Sequence, residues 1–213
     1  MIKISVKGLA NFMTSGASTQ RKILRDFKLP KPEGIAQAKY YDPARQAIRK
    51  YHAQGNDASV LVGAVDELRK QAARAPTPRI VTKLDQNIRA LECYMKYFAH
   101  SQFTVLPIPM LDLICGNVRI TANPDLCVAY KGRQKLIKLE LGAITPKPLA
   151  VKIITQVIFE AAGAGNLPIG PRDVVYLDVT RGTLHKGAKS RTRLKREIED
   201  TCRNIEAMWT GIG

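Results

Sequence analysis

The residues best suited to chemistry lie between Asn123 and Gly142. Asn123-Pro124-Asp125 opens an extended apolar segment, Leu126 to Tyr130. Lys131-Gly132-Arg133-Gln134 then offers a compact polar turn with glycine available for positive φ, and Leu136 to Leu141 runs back carrying Lys138 and Glu140. Fourteen residues separate Asp125 from Glu140, and a hairpin of that size returns the chain so that both carboxylates face one cleft. Two hard oxygen ligands suit Mg²⁺ or Mn²⁺, since Mg²⁺ takes one or two carboxylates and keeps several waters. An ion so held neutralises a scissile phosphate, acidifies an attacking water and stabilises the leaving oxygen, which is the chemistry of phosphodiester hydrolysis. Glu140 is the sharper signal of the two. It sits inside the apolar run Leu136, Ile137, Leu139, Leu141, where a carboxylate without a partner is costly. Asp125 after a proline equally fits turn chemistry. Lys138, two residues before Glu140, shares its strand face and fits either a site lysine or a solvated outer-face one.

These residues resemble the motif of the PD-(D/E)XK nuclease superfamily, over about Ile80 to Thr180. The resemblance implies a restriction-endonuclease-like core: a helix, a three-stranded meander, a crossover helix and a further strand. It assigns Asp125 and Glu140 to the metal and expects a lysine two residues beyond the second acid, where this chain has Gly142. Lys138 and Lys152 are the nearest substitutes. Gln156 is similar to a glutamine of RecB-like members, although their companion tyrosine four residues later is Glu160 here. Family members often add an acid from the preceding helix, which makes Glu92 a candidate metal ligand and Asp85 its rival. The implied catalytic set is thus Asp125, Glu140, Lys138, Lys152 and Gln156.

The elements that would carry this set follow from local patterning. The first hundred residues read as helical. Asp42-Pro43 supplies an N-cap and a first-turn proline for one helix, Gly55-Asn56-Asp57 stops that helix and caps the next, and Pro76 and Pro78 precede an amphipathic stripe from Ile80 to Phe98. Cys115-Gly116-Asn117 reads as a hairpin turn between two strands within 101–130. Ala150 to Ala162 reads as a helix, Asp173 to Thr180 as a strand and Lys189 to Trp209 as a terminal helix. The expectation is an α/β protein with a mixed central sheet flanked by helices: a helical N-terminal region, 1–78, packed on a nuclease-like core, 79–213.

Charge supplies the second argument. Among 213 residues, 34 Lys and Arg against 18 Asp and Glu give +16, a field that gathers polyanions. Arg181, Lys186, Lys189, Arg191, Arg193, Lys195 and Arg196 form a run without one acid, suited to phosphate contacts that read no sequence. A further basic group comprises Arg21, Lys22, Arg25, Lys28 and Lys31. Nucleic acid is therefore the expected partner, DNA ahead of RNA, with a homodimer or a protein partner compatible. Aromatic residues make up only 6%, so no stacking platform for single strands is visible. No apolar run reaches the ~18 residues of a spanning helix, no export signal stands at Met1 to Ala10, and no GxxxxGK[ST] occurs. Four scattered cysteines fit reduced thiols in a cytoplasm. Two other readings stay open: a degenerate nuclease fold that binds nucleic acid or serves a larger assembly, and a structural protein that docks on RNA.

Overall fold

The computed structural model describes residues 1–30, 39–188 and 192–212. Seven helices of two or more turns are seen among them: α1 (Val6–Met13), α2 (Ala17–Lys28), α3 (Asp42–Ala53), α4 (Ala58–Ala73), α5 (Pro78–Tyr97), α6 (Pro148–Ala164) and α7 (Thr192–Trp209). The strands are β1 (Ile2–Ser5), β2 (Thr104–Leu106), β3 (Asp112–Cys115), β4 (Val118–Thr121), β5 (Leu126–Tyr130), β6 (Arg133–Glu140), β7 (Val174–Asp178) and β8 (Thr183–Lys186). They form two sheets, one ordered β2-β5-β6-β7-β8 and a smaller one ordered β1-β4-β3. The larger is mixed: β2, β5 and β6 are antiparallel, β6 and β7 are parallel across the α6 crossover, and β8 returns antiparallel. The chain is thus α/β with a mixed sheet flanked by helices, and no helix among the described residues is long and apolar enough to cross a membrane.

Side-chain alternation gives the large sheet two apolar faces. Ile137, Leu139, Val175 and Leu177 pack with α3, α4 and α5, whereas Leu136, Val174, Tyr176 and Cys127 pack with α1, α6, α7 and the small sheet. Lys138 and Glu140 continue the parity of Leu136, so they belong to the second face. Asp125 shares the parity of Cys127 and the same face.

Three local expectations need correction. The N-terminus is not helical from its start, because Ile2 and Ile4 alternate inward and Ile2–Ser5 pairs parallel to Val118–Thr121. Asp42 is the first residue of α3 rather than its cap, and its carboxylate pairs with Arg45 instead. The strand read as ending at Thr180 is not the last: Thr183–Lys186 closes the sheet edge before α7 begins. The Gly55-Asn56-Asp57 reading corresponds to the observed stop, since Gly55 and Asn56 take positive φ and Asp57 accepts a hydrogen bond from the Ser59 N–H.

One buried polar group links α3 to α5. His52, 2% exposed, lies with Nδ1 2.5 Å from Asn56 Oδ1 and Nε2 2.5 Å from the Tyr94 hydroxyl. Asn56 Oδ1 can only accept, so Nδ1 carries the proton and Nε2 accepts from Tyr94. Burial lowers the imidazole pKa, opposed in part by the Asn56 bond. A folded-state pKa below the unfolded value near 6.5 means that the unfolded chain takes up the proton first. Stability is therefore full above about pH 6.5 and falls as pH drops through that value, by up to about 1.4 kcal/mol per pH unit for this one proton. Urea unfolding between about pH 7.5 and pH 5 measures the loss, and His52→Gln removes this component of it.

Candidate active site

Asp125 stands where β5 begins. Its N–H donates to Ile137 O at 2.8 Å, and its Oδ2 accepts the Leu139 N–H at 2.8 Å. The side chain thereby extends the β5–β6 ladder past Pro124, which has no N–H to give. Continuing the antiparallel register by one step sets Asp125 opposite Lys138, whose Nζ lies 3.2 Å from Asp125 Oδ2 and donates to Asn123 O at 3.0 Å. From the other side of the sheet, α3 contributes Arg49, whose Nε donates to Asp125 O at 2.8 Å, and Arg45, whose Nε is 3.2 Å from Asp125 Oδ1. The Arg45 Nε–H is buried and not aligned on any acceptor, so this pair gains from charge rather than from a directed bond. Asp125 itself is 8% exposed at its side chain.

Glu140 ends β6, beside Asp178 at the end of β7. Its Oε2 accepts from Lys7 Nζ at 2.8 Å and from the Tyr176 hydroxyl at 2.7 Å, and its Oε1 accepts the Gly142 N–H at 3.2 Å. Burial pushes the Glu140 carboxyl up, but the Lys7 charge and the bonds from Lys7, Tyr176 and Gly142 outweigh it, and the net pKa is lowered. Burial, then the Glu140 charge, raises the Tyr176 phenol, so this hydroxyl is a donor at neutral pH. Burial lowers the Lys138 ammonium, with Asp125 opposing and Lys7 assisting. Lys7 arrives from α1, whose first turn is fixed by Ser5 Oγ accepting the Gly8 N–H at 3.1 Å. Gly8 has no alternative, because a Cβ there would lie 2.4 Å from the Phe27 ring of α2.

Glu140 opens on a cavity of about 720 Å³ that Lys7, Tyr41, Lys147 and Tyr176 also line. A second cavity of about 550 Å³ adjoins it behind Thr145 and Pro146. Lys152, Gln156, Asp178 and Arg181 lie on this second cavity, not on the first. Gln156 is buried, with Nε2 donating to Glu160 at 2.7 Å. Arg181 is exposed but tethered: Nη1 is 3.1 Å from Asp178 Oδ2 and Nη2 donates to Ala143 O at 2.6 Å, while the Thr180 hydroxyl donates to Gly142 O at 3.2 Å. The end of β7 thus pins the loop that follows Glu140.

The sequence-derived site residues fall into two groups. Asp125 pairs with Lys138, and Glu140 follows Lys138 on the same face of β6 with partners of its own, Lys7 and Tyr176; Lys152 and Gln156 stand on α6 beside the neighbouring cavity. Glu92 stands apart, exposed on α5 and 2.8 Å from Arg69 of α4. Lys186, Arg193, Lys195 and Arg196 are exposed, with Arg193 paired to Glu197 and Lys195 3.4 Å from Glu160. Lys28 donates to Trp209 O and Ile212 O, joining α2 to the end of α7. Lys31, Lys189 and Arg191 lie outside the described residues. Lys7, Tyr176, Arg45 and Arg49 escaped sequence reasoning. Only Tyr176 left a trace, as the residue two before Asp178 in an alternating strand.

Two carboxylates are therefore met by three cations, Lys7, Lys138 and Arg45. Among the described residues no group of three or more His, Cys, Asp or Glu could hold a metal. Comparisons with protein-family models and with curated proteins gave no match.

Removing one partner of a buried ion pair leaves the other desolvated and unpaired. Asp125→Ala strands Lys138, Arg45 and the Leu139 N–H together, so a loss of about 3 kcal/mol is expected. Asp125→Ala combined with Lys138→Met should recover part of it, because the buried ammonium is removed as well. Urea midpoints of the single and double variants check this ordering.

Proposed function

We propose that this chain is a Mg²⁺- or Mn²⁺-dependent nuclease with a restriction-endonuclease-like core, acting on DNA. The observed order supports that core: an antiparallel β2-β5-β6 arrangement, the α6 crossover, then β7 parallel to β6. The β3–β4 hairpin is an insertion between the first two of those strands. The observation that carries the reading is the placement of Asp125, Lys138 and Glu140 on one sheet face, with Lys7 completing the group at the cavity mouth.

Carboxylate oxygens are the donor class that a hard divalent ion takes when it keeps its waters and shares its shell with substrate phosphates, and this supports the reading. Both first ligands are carboxylates, and Glu140 faces an open cavity through a lysine that is itself 34% exposed and able to swing aside. Asp125 and Glu140 would hold the ion, which supplies charge neutralisation at the phosphate and acidification of water. The remaining work falls to the chain's own groups. Tyr176 and the Gly142 N–H fix the rotation of the Glu140 carboxylate. Lys138 and the Leu139 N–H do the same for Asp125. Lys7 stands where the motif lysine is missing at Gly142, and its ammonium meets the phosphate oxygens or the attacking water once it leaves Glu140.

Cleavage of supercoiled, linear and single-stranded DNA and of structured RNA with Mg²⁺ or Mn²⁺ tests the proposal. Glu140→Gln and Lys7→Ala should each reduce the rate about 10²- to 10³-fold while both proteins stay folded. Equal rates in all three proteins would sink it. A second reading is favoured by the cation-saturated carboxylates and by Gly142: a nuclease fold that binds nucleic acid without cutting it. Salt-sensitive DNA binding with no products in any metal identifies that case.

Both readings share the cationic surface of β8 and α7. Changing Lys186, Arg193 and Arg196 to Ala should flatten the slope of log K against log salt by about 2.7, at about 0.9 per duplex phosphate contact. Filter binding over a salt series measures it.

A further inference from the structure

The β3–β4 hairpin is docked onto α7 by its turn. Gly116 takes φ 59°, and a Cβ on it would lie 2.5 Å from Glu206 Oε1. The same carboxylate accepts the Asn117 N–H at 2.5 Å. Glu206 is one helical turn beyond Cys202, and Cys115 is the residue immediately before Gly116. The carboxylate bond that seats the turn therefore seats Cys115 against Cys202. The two thiols line one cavity of about 430 Å³ together with Ile114, Glu199 and Arg203. Cys202 is buried in the core beneath α7, whereas Cys115 is half-buried at the cavity mouth.

We propose that Cys115 and Cys202 are a modification site, a thiol pair that hydrogen peroxide or another small hydroperoxide closes to a disulfide. The step balances as follows. The Cys115 thiolate attacks one peroxide oxygen, the O–O bond breaks, and the departing hydroxide takes a proton to leave as water, giving a sulfenic acid on Cys115. Cys202 then gives up its proton, its sulfur attacks Cys115 sulfur, and the sulfenic oxygen leaves as a second water. Two thiols are oxidised by two electrons and one peroxide is reduced to two waters.

The order of attack follows from the surroundings. The neighbouring Cys202 thiol lowers the Cys115 pKa, burial and Glu199 oppose that, and Lys195 assists it. The neighbouring Cys115 thiol and burial raise Cys202, with Glu206 and Glu199 adding to the rise. A half-exposed, lower-pKa thiol attacks first, and a buried neighbour in contact resolves it. The other two thiols lack this arrangement. Cys93 is half-buried on α5, and Cys127 is buried with the Gln134 amide donating to it at 3.1 Å. This pair is independent of the nuclease reading, since neither thiol lines the Glu140 cavity.

The test treats the full-length protein with stoichiometric hydrogen peroxide, quenches with an alkylating agent and maps the peptides. The expected result is a mass loss of about 2 Da, a Cys115–Cys202 cross-linked peptide and two fewer thiols by colour assay. A rise in Tm of about 5–10 °C, reversed by dithiothreitol, should accompany it. Cys115→Ser, at the half-exposed position, should abolish the cross-link and the Tm rise. Sulfinic acid on Cys115 with Cys202 still alkylated would overturn the proposal, as would preferential oxidation of Cys93.

Discussion

Neutralising two carboxylates at the end of a hairpin is the constraint around which this structure is arranged. A desolvated carboxylate is expensive unless it is paired and hydrogen-bonded. Asp125 and Glu140 meet that demand with partners drawn from four separate parts of the chain: the β6 backbone and Lys138, α3 through Arg45, α1 through Lys7, and β7 through Tyr176. The helices α1 and α3 are therefore tied to the sheet by charge as well as by apolar contact. Replacing the whole cluster with apolar residues of similar volume would cost little by general experience of buried ion pairs.

The position of the cluster agrees with how parallel strands form sites. Glu140 and Asp178 end adjacent parallel strands side by side, and loops leaving the carboxyl ends of such strands are where open α/β sheets bind ligands. Each end residue here has a different duty. Glu140 faces the larger cavity, while Asp178 is spent on Arg181, which in turn holds the backbone of Ala143. One carboxylate is presented and its neighbour braces the loop that presents it. Two cavities separated only by Thr145 and Pro146 follow from this, because that loop is the wall between them.

How much of this was legible in the sequence depended on the range of the interactions. Helix stops at Gly55-Asn56-Asp57, the Cys115-Gly116-Asn117 turn and the Asp125-to-Glu140 hairpin are local, and each corresponds to an observed element. Strand parity even placed Lys138 and Glu140 on one face before any register was known. The failures are non-local. Ile2–Ser5 reads as a strand only beside Val118–Thr121, and Lys7 meets Glu140 across 133 positions of sequence. Periodicity places Glu92 on a helix face without showing that Arg69 pairs with it there. A run of like charge does not show that its first member, Arg181, pairs with the buried Asp178.

The small sheet ties these pieces together mechanically. β1 runs straight into α1, so the strand that pairs with β4 also delivers Lys7 to Glu140. β4 pairs in turn with β3, which ends at Cys115 on α7. A covalent link between Cys115 and Cys202 would therefore close on the platform that positions Lys7. Coupling between distant sites requires an element with two arrangements that both sites bias. Here the two thiols already share one cavity, and the Glu206 carboxylate already seats the hairpin turn, so closing the bond calls for no second arrangement. Its consequence for the carboxylate cluster is then steadiness rather than switching: α7 and the small sheet become harder to separate, and the path of Lys7 toward Glu140 is left as it was.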